Sequence, residues 1–191
     1  MNMLEKILEL DRAVFIFLNG LHNPFFDFIM YWLSDKLIWI PFYAFIIYIL
    51  VREYKKKTFF ILIAITFLIT ICDQTASGFL KPFFKRLRPS HEENLKDVIH
   101  LSDAGPGGKY GFISSHATNV FGLAVFLILL LPVKYTNLKI ILFAWALLVS
   151  YSRIYNGVHY PLDIICGIIL GTFYGFLVKN LYSKASTYFK I

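Results

Sequence analysis

Five long apolar runs, separated by short polar stretches, dominate the chain: Leu37–Val51, Thr58–Leu80, Thr118–Leu131, Leu138–Tyr151 and Leu162–Tyr182. A hydrocarbon core about 30 Å thick takes roughly 20 apolar residues of helix, fewer where flanking side chains snorkel. Each run is therefore expected to be a membrane span whose ends extend a turn into its flanks. No strictly alternating strand pattern appears, which argues against a β-barrel. The predicted fold is an all-α integral membrane helical bundle of about five transmembrane helices.

The first third reads differently. Leu4, Ile7, Leu8, Leu10 and Val14 recur near helical spacing, with Glu5, Lys6, Glu9, Asp11 and Arg12 between them. Phe15–Leu33 is apolar but broken by Asn19, Gly20, His22, Asn23, Pro24 and Asp27. Residues 1–34 are expected to form interfacial amphipathic helices rather than a sixth span, ahead of a transmembrane core over 35–191, the whole making one domain. Arg52, Lys55, Lys56 and Lys57, then Lys134 and Lys139, then Lys179, Lys184 and Lys190 fall on one side of five spans. The positive-inside rule makes that side cytoplasmic.

Composition sharpens this picture. Hydrophobic residues are 58% and charged residues 16% of the 191, more apolar surface than a soluble domain of this size can hide. The net charge of +7 raises nucleic acid as a partner, but the cations lie in loops between apolar runs, so none is expected. Cys72 and Cys166 sit inside apolar runs and read as small buried hydrophobes, not a disulfide. No cleavable signal peptide is evident at the N-terminus.

Three polar clusters lie opposite the cytoplasmic loops: Lys81–Pro89, Ser114–His116 and Ser152–Asp163. Lys81 and Arg88 are seven residues apart, close to two helical turns, so one face carries both if the helix runs on to Pro89. They suit phosphate oxygens, although interfacial snorkelling alone would also place cations here. Ser114 or Ser115 is placed to cap the next helix, whose free amides attract an anion beside His116. A plain serine cap with an interfacial histidine is the bland alternative. His159 and Asp163 are spaced i, i+4, which lets the carboxylate hold one imidazole nitrogen and leave the other free. A surface histidine near a surface acid would explain neither Arg153 nor the apolar surroundings. The 89–111 stretch is long enough for a lid or binding element. Its Gly108-Lys109 pair lacks the serine or threonine of a P-loop. Gly167, Gly171 and Gly175 predict a close helix contact. Asp73 reads as a helix-packing or supporting group, and His22, His91 and His100 as solvated.

The order Lys81-x6-Arg88-Pro89, Ser114-x-His116, Ser152-Arg153-x5-His159-x3-Asp163 resembles the type 2 phosphatidic acid phosphatase superfamily, which includes membrane lipid phosphatases and vanadium haloperoxidases. The likeness covers Lys81 to Asp163. It departs at Ile113-Ser114-Ser115-His116, where the family usually has Pro-Ser-Gly-His. Serine for glycine matters if that position needs positive φ or if its side chain crowds the phosphate. The resemblance implies that His159 is a nucleophile forming a phosphohistidine and that Asp163 orients it. It implies that His116 is the acid and then the base, and that Lys81, Arg88, Arg153, Ser114 and the amides near Ser115 hold the phosphate. Three cations can serve where other phosphoryl transferases use magnesium, so no metal or cofactor is expected.

The function expected from the sequence is a lipid phosphatase in a bacterial inner membrane, with its site on the non-cytoplasmic face. Undecaprenyl diphosphate leads the expected substrates, with phosphatidylglycerophosphate, phosphatidic acid and lipid A as rivals. A lipid phosphotransferase is the enzyme alternative, and an anionic-lipid-binding scaffold or transporter the non-enzyme one.

Overall fold

A computed structural model describes residues 2–189, so Lys190, counted among the tail cations, lies outside the described residues. Helix α1 (Met3–Asn19) starts where the Asn2 side chain accepts from the Glu5 amide and Glu5 reaches back to the Asn2 amide. Helix α2 (Pro24–Ser34) starts at Asn23, which accepts from the Phe26 amide, with proline in the first turn. The two are bent by 116°, so they do not form a straight sixth span. Helix α3 (Ile40–Tyr54) follows, then three lysines in a tight turn at Lys55–Lys57, where Lys55 takes a positive φ of 52°.

Helix α4 (Thr58–Asp73) widens into a π turn at Gln74–Leu80 and ends as the short α5 (Lys81–Phe84). Helices α6 (Ser115–Leu130), α7 (Thr136–Tyr155) and α8 (Pro161–Tyr188) complete the bundle. No strand occurs among the described residues.

Three stretches are long and apolar enough to cross a membrane: Leu37–Phe84, Val133–Tyr155 and Pro161–Tyr188, with Ser115–Leu130 a shorter apolar helix. The first holds 48 residues, about 72 Å if straight, more than twice the hydrocarbon thickness. It doubles back at the lysine turn instead. Ile46 and Leu50 of α3 face Leu62, Ile65 and Ile69 of α4 across one cavity, and the Thr58 hydroxyl donates to the Leu50 carbonyl at 2.8 Å. Five apolar rods thus stand where hydropathy predicts spans.

Helices α6 and α8 pack closest. A Cβ on Gly167 would lie 2.8 Å from the Ser114 carbonyl oxygen and one on Gly175 2.6 Å from that of Gly122, while one on Gly171 would strike the Thr118 carbonyl. The pairing 114–167, 118–171, 122–175 climbs in the same direction on both helices, so they run parallel, with both N-termini at one end. The glycine stripe therefore makes the close contact its spacing predicts.

Gly171→Leu forces α6 and α8 apart. The expected loss is on the order of 2 kcal/mol or more, seen as a lower melting temperature of the detergent-solubilised protein, whereas Leu at neighbouring exposed Ile169 leaves melting unchanged.

Candidate active site

The N-termini of α6 and α8, the segment after α5 and the end of α7 converge on His159. This imidazole is fully buried in the loop before α8. Its Nδ1 lies 3.2 Å from Asp163 Oδ2, which also accepts from the Tyr160 amide at 3.1 Å. Its Nε2 is buried without a hydrogen-bond partner. Burial, reinforced by Arg88 and Arg153, pushes the His159 pKa well below the ordinary histidine value. The ring is therefore neutral near pH 7. With Nδ1–H donating to Asp163, the lone pair rests on Nε2.

Asp163 links the loop before α8, the segment after α5 and the start of α6. Its Oδ1 accepts from Arg86 Nη1 at 2.8 Å, and its backbone carbonyl accepts from the Ser114 amide at 3.0 Å. Arg86 also pairs with Asp11 of α1 at 2.5 Å, and its guanidinium lies 4.2 Å from the centroid of the Tyr160 ring. Asp11 in turn accepts from the Leu162 amide at 2.8 Å, in the first turn of α8.

The other cations are left differently. Among the described residues no carboxylate pairs with Lys81, Arg88 or Arg153. Lys81 Nζ donates to Ser115 Oγ at 3.2 Å. Arg88 Nε donates to the Tyr110 carbonyl at 3.3 Å, while its Nη1 is buried and unpartnered. Arg153 Nη1 donates to Ser34 Oγ at 2.7 Å, and its Nε is likewise buried and unpartnered. Two guanidinium groups and one imidazole thus offer unused polar atoms at one end of the bundle. Such orphans are costly unless a ligand takes them up.

Lys81 and Arg88 reach this place by a route other than the one expected. The helix does not continue to Pro89. It stops at Phe84, Lys85 turns left-handed with φ of 49°, and Leu87 bridges to Tyr110. A left-handed residue ends a helix, so the two cations come from different segments and not from one helical face. Ser114 caps α6, its hydroxyl accepting from the Ala117 amide at 3.4 Å. Ser115 is absent from the residues with positive φ, so serine in place of the family's glycine costs no backbone strain, and its hydroxyl serves Lys81. His116 stands in the first turn of α6.

Other contributors carry no local signature in the sequence. Asp11 and Arg86 are 75 positions apart, and Asp11 looks like one more charge on an amphipathic helix. Ser34 also accepts from Asn156 Nδ2 at 2.8 Å. A Cβ on Gly111 would lie 2.9 Å from Asp163 Oδ2 and 3.2 Å from the Arg88 stem, so only glycine lets this backbone approach. His100 is not simply solvated. Asn19 holds its amide and carbonyl at 2.7 and 2.9 Å, and its Nε2 meets Asp27.

A cavity of about 420 Å³ runs from the site into the bundle. Ser115, His116, Lys36 and Asp73 stand on its wall, and the rest is mostly apolar, with Ile46, Leu50, Ile65, Leu123, Trp145 and Val149. It has the character of a slot for hydrocarbon beside a polar head-group site.

Residues 59–186 match the model of the PAP2 superfamily. The chain is 42% identical over 177 residues to a lipid A 4'-phosphatase of Bacteroides thetaiotaomicron, covering 92% of this chain and 78% of that protein. It is 40% identical over 185 residues to a lipid A 4'-phosphatase of Porphyromonas gingivalis, covering 95% and 77%. Among solved structures, that of Aquifex aeolicus LpxE superimposes with a TM-score of 0.65 at 27% identity, covering 88% of this chain and 94% of the other.

Two outcomes follow from the geometry. His159 has its pKa depressed in the folded state, so the unfolded chain takes up the proton first. Stability should fall as pH drops below the ordinary value of 6.5, until the folded ring also protonates. His159→Gln should make that slope of melting temperature against pH shallower. Arg86→Met leaves two buried carboxylates unpaired and should cost on the order of 3 kcal/mol, measured by thermal melting at pH 7.

Proposed function

The chain belongs to the PAP2 superfamily and is a membrane lipid phosphatase, a phosphate ester hydrolase, and on that footing we propose that it removes the 4'-phosphate of a lipid A-type glycolipid through a phosphohistidine at His159. The single observation that carries the mechanism is the set of unpartnered buried atoms, His159 Nε2, Arg88 Nη1 and Arg153 Nε, on two guanidinium groups that form no ion pair among the described residues and whose charges act on His159. The substrate assignment rests on identity of 40% or more, over nine-tenths of the chain, to two lipid A 4'-phosphatases. That likeness moves lipid A ahead of undecaprenyl diphosphate, phosphatidylglycerophosphate and phosphatidic acid.

In this mechanism Lys81, Arg88 and Arg153 bind the phosphate oxygens, helped by the Ser114 hydroxyl and the first amides of α6 near Ser115. The Nε2 lone pair attacks phosphorus in line, an N–P bond forms and the P–O bond to the sugar breaks. His116 donates a proton to the departing oxygen. Asp163 keeps Nδ1–H oriented and steadies the positive charge that develops on the ring. A water then attacks the phosphohistidine, His116 takes its proton, and inorganic phosphate leaves with the electrons of the N–P bond returned to Nε2. Positioned charge does most of this work, as phosphoryl transfer requires. The acyl chains occupy the apolar cavity beside His116, and the site faces the non-cytoplasmic side of the inner membrane.

The test is phosphate release by purified full-length protein from lipid A, undecaprenyl diphosphate, phosphatidylglycerophosphate and phosphatidic acid, with chelator present. Lipid A bearing the 4'-phosphate should give the highest kcat/KM, and His159→Ala should lower it by about 10³-fold or more. A clear preference for undecaprenyl diphosphate would overturn the substrate assignment. Full activity in the His159 variant would favour a lipid-binding scaffold with a contaminating phosphatase. Transfer of labelled phosphate to a second lipid in place of water would mark a phosphotransferase.

A further inference from the structure

Apart from the phosphoryl site, three metal-ligating side chains meet where the α1–α2 turn touches the 89–111 loop. His22 lies in that turn, Asp27 in the first turn of α2, and His100 in the loop. One ligand atom from each lies within 4.8 Å of the others. The His22 and His100 rings stack with centroids 3.9 Å apart and planes 6° from parallel. His100 Nε2 is 2.9 Å from Asp27 Oδ1. The group is braced from behind: the Tyr155 hydroxyl donates to the same Asp27 oxygen at 2.7 Å, and Asn19 grips the His100 backbone on both sides. A cavity of about 550 Å³ opens beside Asp27 and His100, with Ser102 and Asp103 on its wall.

We propose that His22, Asp27 and His100 form a binding site for a divalent transition metal, best suited to Zn²⁺, that fastens the α1–α2 turn to the 89–111 loop. Two imidazole nitrogens and one carboxylate oxygen are a donor set that zinc accepts, with a water in the fourth position. Magnesium and calcium favour oxygen ligands throughout. Tetrahedral bonds of 2.0–2.2 Å put ligand atoms about 3.3 Å apart, and the three atoms already lie within 4.8 Å of one another. Tyr155 on Asp27 and Asn19 on His100 are outer partners of the kind that orient ligands.

Hydrogen bonding accounts for the His100–Asp27 pair and ring stacking for the placing of His22 over His100; a metal ion would in addition use the His22 nitrogen that this stacking brings to the same point. The metal's role is mechanical. It holds the loop that supplies the Arg88 partner Tyr110 and the close-packed Gly111, and it takes no part in phosphoryl transfer.

Full-length protein in detergent, stripped with chelator and exchanged into metal-free buffer, is titrated with ZnCl₂ by calorimetry and followed by thermal melting. One Zn²⁺ should bind per chain and raise the melting temperature, and millimolar Mg²⁺ should do neither. His22→Ala, Asp27→Asn and His100→Ala should each weaken Zn²⁺ binding by about tenfold or more. His22 is exposed, so its variant folds even if the other two do not and decides the matter alone. Phosphate release by stripped His22→Ala at 25 °C should match that of the stripped parent. Absence of saturable one-to-one binding, or unchanged Zn²⁺ affinity in His22→Ala, overturns the proposal. Neither result bears on the lipid substrate.

Discussion

A single buried carboxylate holds this site together. Asp163 has no exposed surface, and a charged carboxylate so far from water is tolerated only when fully hydrogen-bonded and paired. Its side chain accepts from His159, the Tyr160 amide and Arg86, and its backbone carbonyl accepts from the Ser114 amide. Those partners belong to all three polar clusters of the sequence. The need to satisfy one buried anion therefore draws together segments that lie up to 77 residues apart.

The helix framework serves the same end. Because α6 and α8 run parallel, the positive poles of both helices point into one region, which favours an anion there. The glycines at 167, 171 and 175 let the two backbones come close, which sets the two N-termini side by side. Packing and electrostatics are thus coupled: a side chain on the glycine stripe would disturb the Ser114–Asp163 bond as well as the helix contact, since Ser114 is itself one of the carbonyls that the stripe abuts.

What the sequence disclosed and what it hid follow from range. Apolar runs are a property of consecutive residues, so the starts of α3, α4, α6, α7 and α8 could be placed to within three residues, while the ends of α4 and α8 could not. The His159–Asp163 pair is legible because its members lie four residues apart, although His159 sits in the loop before α8 and only Asp163 is on the helix. Asp11 and Arg86 escaped because each looks ordinary beside its neighbours, and only the fold, which brings α1 and the segment after α5 to the first turn of α8, pairs them. The same holds for Ser34 on Arg153 and Asn19 on His100. The stop at Phe84 was hidden for another reason. Lys85 carries no glycine or asparagine signal for a left-handed turn, and the hydropathy of Lys81–Pro89 does not distinguish a helix end from a helix interior.

The N-terminal helices, which hydropathy suggested would only rest at the membrane surface, change the electrostatic problem of the site. Four basic side chains, Lys81, Arg86, Arg88 and Arg153, crowd its neighbourhood. If all were left unpaired their mutual repulsion would oppose folding; if all were paired no charge would remain for a substrate. Of the four, only Arg86 forms ion pairs with Asp11 and Asp163, which makes it a strut that keeps Asp163 beside His159. Ser34 takes one hydrogen of Arg153 without cancelling its charge, and Ser115 does the same for Lys81. Neutral hydroxyls orient these cations while a carboxylate would quench them. The division of partners, acids for Arg86 and hydroxyls or carbonyls for Lys81, Arg88 and Arg153, separates the charge that braces the site from the charge left free for an anion, as the proposed mechanism requires.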